Sequence, residues 1–423
     1  MTALLLVGFA ALAAAGTPVF ALMGGLALWL FHGAGIESTA VVIELARLAS
    51  LPSLIAIPLF TFAGYVLAES GAPKRLVDLA EALFGWLPGG VAVAGLFTCA
   101  MFTAFTGASG VTIIALGGLI FPLLRRQGYS EPFALGLIST TGSLGLMFPP
   151  SLPIILYALV GKISIDKLFA AAAVPGLFLL AALSIYAVVV AKREGVKPIP
   201  FSRGAIVSSA RAAVWEIPLP ILIVGGIYGG LFTASEAAAV MAFYVIVVET
   251  FVYKDISWAK LPEVARHSMV LVGSILIVLG CALGLTNYLI DAEIPSRIFT
   301  FLHAHVESPW GFLALLNVFL LVVNMIEIFS AIVIVVPIIA PVAAQYGIDP
   351  VHLGALFLLN LEIGYMTPPL GLNLFLASRR FDKPLPRLYR AVLPFWLLLL
   401  AALMVVTYCP SLSLWLPRTL KLP

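Results

Sequence analysis

Charged side chains are scarce in this sequence, and that scarcity defines the class of protein. Only 10% of the 423 residues are Asp, Glu, Lys or Arg, whereas ordinary soluble domains have about 25%. No charged residue stands between Pro88 and Leu124. Apolar runs of about 20 residues, the length that spans a bilayer, recur along the chain. We therefore expect an all-α polytopic membrane protein surrounded by lipid, without a separate soluble domain. The net charge of +3 gives no reason to expect nucleic-acid binding.

Cysteine and histidine are also rare, which argues against several kinds of site. The three cysteines are far apart in the sequence, so we expect no disulfide or metal framework. His303 and His305 have no evident third metal ligand. No Walker-type phosphate loop is present, so the chain does not hydrolyse ATP itself. We expect no enzyme; a membrane-embedded hydrolase using Ser109 is the weaker alternative, because no His or Lys lies nearby in the sequence to act as its base.

The stretch from Phe105 to Ser151 contains two interruptions of the apolar pattern. The first is the Gly107–Gly110 segment, and the second is the pair Pro149 and Pro150. Backbone groups that a break frees inside a bilayer must be satisfied by protein, water or a bound ion. Many secondary transporters build their ion and substrate sites from such broken helices. We therefore interpret the chain as a transporter, with a passive channel as an alternative.

The interruptions occur twice, at a nearly constant offset of about 220 residues. The matched Gly and Pro positions are Gly128, Pro132, Gly136, Gly145, Pro149 and Pro150 in the first half, and Gly347, Pro350, Gly354, Gly364, Pro368 and Pro369 in the second. We predict two repeats, residues 1–200 and 201–423. Each repeat has scaffold helices, a hairpin (88–125 or 309–345) and a broken helix (133–161 or 351–378).

Charge indicates how the two repeats are oriented. Arg125 and Arg126 stand at one loop, whereas the matching loop near Gln345 has no positive charge. Positive loops favour the cytoplasm. If both hairpins enter and leave by one face, each half crosses five times and the second half is inverted. The predicted fold has two inverted-topology repeats with re-entrant hairpins and discontinuous helices; a non-repeating bundle is the alternative.

Polar residues at the interruptions are the candidates for a site. Thr106, Ser109 and Thr112 place hydroxyls around the first hairpin tip, where they would face an anionic substrate. The proline pairs remove N–H donors, so carbonyls near Gly145 and Gly364 should lose partners and suit Na⁺. The hydroxyls of Ser151 and Thr367 follow or precede these pairs.

Three glutamates, Glu236, Glu327 and Glu362, lie in or next to apolar segments. Glu327, in an apolar run at the second tip, is the best candidate for an ion or gating role. Glu362, beside Asn360 on the segment before the second break, is a weaker one. Glu236 fits a helix cap.

At these motifs the sequence resembles the large membrane (M) subunit of tripartite ATP-independent periplasmic (TRAP) transporters. The resemblance covers essentially the whole chain. The matching stretches are Ile57–Phe60 with Gly64; Phe105–Gly110; Gly128–Ser151; Gly226–Gly230 through Thr233 and Glu236–Ala238; and Gly347–Pro350 through Thr367–Gly371.

The resemblance implies Na⁺-driven import of a small organic anion, such as a C4-dicarboxylate, across the bacterial inner membrane by an elevator mechanism. It also implies a periplasmic binding protein and a small four-helix Q membrane subunit as partners. A stand-alone Na⁺/anion symporter of the same architecture remains an alternative.

The resemblance further implies where the ions and the substrate bind. The Na⁺ sites would comprise Ser109, Gly110, Gly145 and Pro149 at the first break, and Glu327, Gly364, Thr367 and Pro368 at the second. Substrate would contact Thr106, Ser109, Thr112 and Ser330. Many family members have Asp where this chain has Glu327, so the second site departs from the family pattern there.

Overall fold

The computed structural model describes residues 8–9, 12, 16–37, 39–323 and 328–422. In these residues the chain is a bundle of α-helices with short 3₁₀ and π segments. Among the described residues, six helices are long and apolar enough to cross a membrane, and two bent helix pairs bring the number of spans to eight if each pair counts as one. The prediction of an all-α polytopic membrane protein with interrupted helices is confirmed.

The first half begins with α1 (Val19–Gly33), α2 (Thr39–Ala49), α3 (Ala56–Glu69) and the amphipathic α4 (Ala72–Phe84). The hairpin consists of α5 (Gly90–Thr106) and an outgoing arm that bends by 48° between α6 (Ser109–Ala115) and α7 (Gly117–Arg126). The broken helix consists of α8 (Glu131–Leu144), a 3₁₀ turn and α9 (Leu152–Gly161), and α10 (Ile165–Arg193) completes the half.

The second half begins with α11 (Arg203–Ala212), α12 (Pro218–Tyr228), α13 (Ala234–Val247), α14 (Leu261–Asp291) and α15 (Ile294–His303). The hairpin arms are α16 (Pro309–Val323) and α17 (Ile328–Gln345). The broken helix is α18 (Pro350–Gly364) with α19 (Leu372–Phe381), followed by α20 (Leu385–Tyr408) and α21 (Ser411–Thr419). The order from α3 to α10 recurs from α14 to α20; the domain boundary at residue 200 stays a prediction.

Local sequence chemistry explains where the broken helices begin. The Ser130 side chain accepts a hydrogen bond from the Phe133 backbone N–H at the start of α8. Asp349 caps α18 in the same way by accepting from two backbone N–H groups. Each cap is followed within two residues by a proline, which lacks the N–H that the first turn cannot use. Caps at matching sequence positions therefore start α8 and α18 at equivalent points of the two halves.

In each half, a hairpin helix packs against the broken helix of the other half. The outgoing hairpin arm α17 packs against α9, and α6, in the other hairpin, packs against α19. Thus each hairpin is held by the post-break helix of the opposite half. A second group of helices, α1, α2, α3, α13 and α14, packs together beside them. The first hairpin tip is therefore enclosed between two bodies of helices, whereas Pro369 and Leu370 of the second break are exposed.

Arg75 on α4 forms an ion cluster with residues of the second half. Its guanidinium group pairs with Glu216, with Glu249 at 2.9 Å and with Asp255 at 2.6 Å. Glu249 is fully buried. Arg297 occupies the corresponding place on α15 but is exposed and, among the described residues, has no salt bridge. The two amphipathic helices that match in sequence therefore differ in how they are anchored.

Candidate functional site

The first hairpin tip lies against the first proline break. α5 ends at Thr106 because Gly107 adopts φ +64°, in the left-handed region, and Ala108 then runs extended into α6. A Cβ atom at Gly107 would lie 2.6 Å from the side chain of Leu152, the first residue of α9. The tip and the break are therefore in contact, which leaves no space for a side chain at Gly107.

A scaffold helix approaches the same tip from the other side. A Cβ atom at Gly64 of α3 would lie 2.5 Å from the carbonyl oxygen of Phe105 and from the Cα atom of Thr106. The backbones of α3 and the hairpin tip are thus in direct contact. This position between two bodies of helices suits a site that changes access when one body moves against the other.

A cavity of about 650 Å³ opens between the two hairpins, the second break and helices α1 and α14. Its wall includes Gly107–Gly110, Phe329 and Ser330, Tyr365, Leu372, residues 18–20 and six residues between Leu271 and Val278. The polar side chains among these are Ser109, Ser274, Ser330 and Tyr365. No Asp, Glu, Lys, Arg or His belongs to the wall among the described residues. The cavity therefore offers hydroxyls and main chain to a ligand, with apolar surface around them.

The predicted substrate residues divide into two pairs. Ser109 and Ser330 line the cavity. Thr112 turns inwards instead: its hydroxyl hydrogen-bonds with the Thr103 hydroxyl at 2.7 Å, and Thr103 donates to the carbonyl of Gly142 at 3.0 Å. Thr106 is fully buried and does not line the cavity. In this conformation only the first pair can reach a molecule in the cavity.

The carbonyl groups before the proline pairs do not lose their partners as expected. The Gly145 carbonyl accepts a hydrogen bond from the Phe148 N–H at 3.0 Å, and the Gly364 carbonyl accepts from the Thr367 N–H at 3.0 Å. The backbone compensates for the missing proline donors by tightening its last turn into 3₁₀-type bonds. The expectation that these carbonyls lack hydrogen-bond partners was therefore wrong. Each carbonyl oxygen keeps a second lone pair, which can still bind a cation.

Around the first break, buried hydroxyls fit a hard cation. Thr106 Oγ1 and Ser151 Oγ are buried and have no hydrogen-bond partner among the described residues. Gly145 lies directly on α5, where an added Cβ would be 2.3 Å from the Ala100 carbonyl oxygen. Neutral oxygen donors of this kind suit Na⁺. Pro149 faces elsewhere, into a separate apolar cavity of about 420 Å³.

Around the second break, the predicted ligands are only partly available. The Thr367 hydroxyl donates to the Ile363 carbonyl at 2.8 Å and accepts from Trp396 Nε1 at 2.9 Å. Pro368 follows directly and Gly364 is buried. Glu327 lies outside the described residues. The assignment of these four residues to a Na⁺ site stays a prediction.

Three residues that the sequence analysis did not select belong to this region. Ser274 of α14 and Tyr365 line the cavity, and Asn373 lies fully buried on α19. Ser274 and Asn373 are polar residues inside apolar runs, which was a usable signal.

Glu236 caps a helix, as expected. Its carboxylate accepts a hydrogen bond from the Thr233 N–H at 2.8 Å, and its own N–H donates to the Thr233 hydroxyl. It takes no part in the cavity.

Comparisons with known proteins agree with this architecture. Residues 6–412 match the family described as tripartite ATP-independent periplasmic transporter, DctM component. The C4-dicarboxylate TRAP transporter large permease protein DctM of Pseudomonas aeruginosa is 37% identical, over 94% of this chain and 93% of that protein. The ectoine/5-hydroxyectoine TRAP transporter large permease protein UehC of Ruegeria pomeroyi is 32% identical, over 86% of each. The crystal structure of the Alcanivorax borkumensis YdaH transporter matches with a TM-score of 0.65 at 14% identity, covering 88% of both chains.

Proposed function

Because this chain belongs to the DctM family, the large membrane subunits of TRAP transporters, we propose that it imports a small organic anion in symport with Na⁺. The family places it in the bacterial inner membrane as a transporter subunit and not an enzyme. It also implies a small membrane subunit and a periplasmic binding protein. The Q subunit in the proposed complex has four helices, and the binding protein delivers the substrate.

The observation that carries the proposal is the cavity between the hairpins and α14. It joins elements of both halves and of both bodies of helices, which is where alternating access requires a substrate site. Ser109 and Ser330 bring hydroxyl groups to the wall for a carboxylate, and the Ser274 hydroxyl, which here donates to the Leu271 carbonyl at 2.7 Å, lies beside them. The apolar remainder of the wall holds the carbon skeleton.

Sodium supplies positive charge that the described cavity wall lacks. Ser109, Gly110 and Gly145, with the main chain at Pro149, would hold one ion at the first break; Glu327, Gly364, Thr367 and Pro368 would hold another. The unpartnered hydroxyls of Thr106 and Ser151 support the first assignment. An ion bound beside an anion offsets the cost of burying its charge. Coupling follows because the anion binds better when the sodium is bound.

An elevator movement fits the division into two bodies. In the proposed mechanism the hairpins and broken helices move together against α3, α13 and α14, and the cavity opens first to one side and then to the other. The Gly64 contact with the first tip lies on the sliding boundary. The names of the two relatives include a C4-dicarboxylate and ectoine. We take a small carboxylate as the substrate.

Uptake into proteoliposomes tests the proposal. The chain, its small membrane subunit and the loaded binding protein are reconstituted, and uptake is measured with a sodium gradient, without one, and with K⁺ in its place. We expect uptake only with the sodium gradient. Ser109→Leu should abolish uptake, and Ser208→Leu, at an exposed serine of α11, should not.

Several results would contradict parts of the proposal. Uptake that ignores the sodium gradient would overturn the coupling. Full uptake without binding protein or small subunit would favour a stand-alone symporter. Covalent labelling of Ser109 by a serine-hydrolase probe would favour the hydrolase alternative.

A further inference from the structure

Glu362 is a fully buried carboxyl group that the proposed substrate cavity does not use. It lies on α18, and neither of its carboxylate oxygens has a hydrogen-bond partner among the described residues. No described charged side chain interacts with it. A carboxyl group in such a place is either protonated or accompanied by a cation, because an unpaired buried charge is strongly unfavourable. Further oxygen ligands beside Glu362 would distinguish a cation site from a protonated acid.

The repeat brings an equivalent residue of the first half to the same point. Ser143 stands two residues before Gly145, as Glu362 stands two residues before Gly364. Ser143 lies close enough to interact with the Glu362 carboxyl group, although the two side chains do not meet hydrogen-bond geometry. The two pre-break helices α8 and α18 thus contribute one oxygen-bearing side chain each, from corresponding positions, to a point where the halves meet.

Asn373 supplies a third oxygen. Its Nδ2 atom donates to Ser143 Oγ and to the Ser139 carbonyl, both at 3.0 Å. These two bonds fix the amide orientation and leave Oδ1, which is buried and has no partner among the described residues. The Ser143 oxygen, while accepting from Asn373, has a further lone pair. A carboxylate, a hydroxyl and an amide oxygen are the hard donors that alkali and alkaline-earth cations select.

We propose that Glu362, Ser143 and Asn373 form an additional sodium site, buried between the two pre-break helices and distinct from the sites at the hairpin tips. The site rests on the proposed sodium coupling. One monovalent cation neutralises the single carboxylate, which a divalent ion would overcompensate. The bound ion joins α8 of the first half to α18 and α19 of the second, so sodium binding also stabilises the packing of the moving body.

Sodium binding to the purified full chain tests this inference without any transport measurement. The number of sodium ions bound per chain is measured by equilibrium dialysis with radioactive sodium for the wild type, Glu362→Gln and Glu307→Gln. Glu307 is an exposed loop glutamate and serves as the matched control. We expect Glu362→Gln to bind one ion fewer than the other two proteins. An unchanged number would overturn the site and leave the proposed function standing, whereas a wild type that binds no sodium would overturn both.

A second variant covers the case in which Glu362→Gln does not fold. Ser143→Ala keeps the carboxylate and removes one ligand, and Asn373 retains its bond to the Ser139 carbonyl. The variant is compared with the wild type in sodium dependence, not in absolute stability, and its sodium affinity at one site should fall by about tenfold. The unfolding temperature is measured at increasing sodium concentration. The variant should need a higher sodium concentration than the wild type for the same rise in unfolding temperature. If Ser143→Ala and the wild type have the same sodium dependence, the inference is wrong.

Discussion

Asn373 donates a hydrogen bond from Nδ2 to the Oγ atom of Ser143 at 3.0 Å, and this bond joins the post-break helix of one half to the pre-break helix of the other. Both side chains are fully buried. The contact fixes how the two broken helices cross. Because neither residue is replaceable by an apolar one without stranding its partner, the bond is a sensitive point of the fold.

Replacing Asn373 with Leu should destabilise the protein. The Ser139 carbonyl and the Ser143 hydroxyl both lose their donor, and a buried polar group left unsatisfied costs about 1–3 kcal/mol. Thermal unfolding in detergent measures the loss. Gln345→Leu removes an amide from an exposed position and should leave the unfolding temperature nearly unchanged. Equal effects from the two substitutions would contradict the role given to Asn373.

Gly107→Ala should abolish uptake, and Gly195→Ala should not. Both glycines have positive φ, +64° and +68°, so alanine costs about 1–2 kcal/mol of backbone strain at either position. They differ in space: an added Cβ at Gly107 lies 2.6 Å from Leu152, whereas nothing lies within 4 Å at Gly195. Comparing uptake by the two variants isolates the effect of separating the hairpin tip from the break. If both transport equally well, the close contact is not required.

Arg75→Ala should destabilise the chain far more than Arg297→Ala. Removal of Arg75 leaves Glu216 and Glu249 buried at 2% and 0% exposure without their counter-ion. Breaking a buried ion pair from one side costs about 3–5 kcal/mol. Arg297, the repeat partner, is exposed, so its loss should cost under about 1 kcal/mol. The unfolding temperatures of the two variants are measured side by side. An equal decrease for both variants would contradict the role given to Arg75.

Stability should fall in acid partly through Asp255. Burial would raise the pKa of the Asp255 carboxyl group, but hydrogen bonds from Arg75 and from the Gly71 N–H outweigh burial and lower that pKa below its usual value. When the pKa of a carboxyl group is lower in the folded state than in the unfolded state, the group stabilises the folded state at pH values above its unfolded pKa of about 3.9. That contribution is lost as the pH falls through the pKa of the folded state.

The Asp255→Asn variant checks this expectation. It should be less stable than the wild type at neutral pH, and the difference should shrink as the pH is lowered below about 4. Asp291→Asn, at an exposed helix end, is the matched control. A difference between Asp255→Asn and the wild type that is independent of pH would show that charge is not the cause.

The helix interruptions could be predicted from sequence because glycine and proline act locally. Positive φ at Gly107 and the missing donors of the proline pairs are properties of those residues themselves, and the described residues contain the first hairpin, the two arms α16 and α17 and both broken helices. The rotation of a helix about its own axis is not local. Thr112 lies on α6, a seven-residue helix of mostly apolar and small side chains, so no hydrophobic stripe indicates that it turns towards Thr103 rather than towards the cavity.

Polar residues inside apolar runs mark candidates on distant helices, but the sequence does not show which of them reach the cavity. Ser274 lies on α14 and reaches the cavity only because that helix packs against the second hairpin. The bonded state of the Gly145 carbonyl depends on a 3₁₀ turn that proline spacing does not specify. Sequence therefore located the breaks, and packing decided which polar atoms face them.

The unequal anchoring of α4 and α15 bears on how the bodies of helices can move. The guanidinium group of Arg75 ties α4 to three carboxylates, whereas Arg297 on α15 has no salt bridge among the described residues, and α15 is held by its packing against α17. An ionic anchor on one side and apolar packing on the other should respond differently to salt, so high ionic strength should loosen α4 before α15.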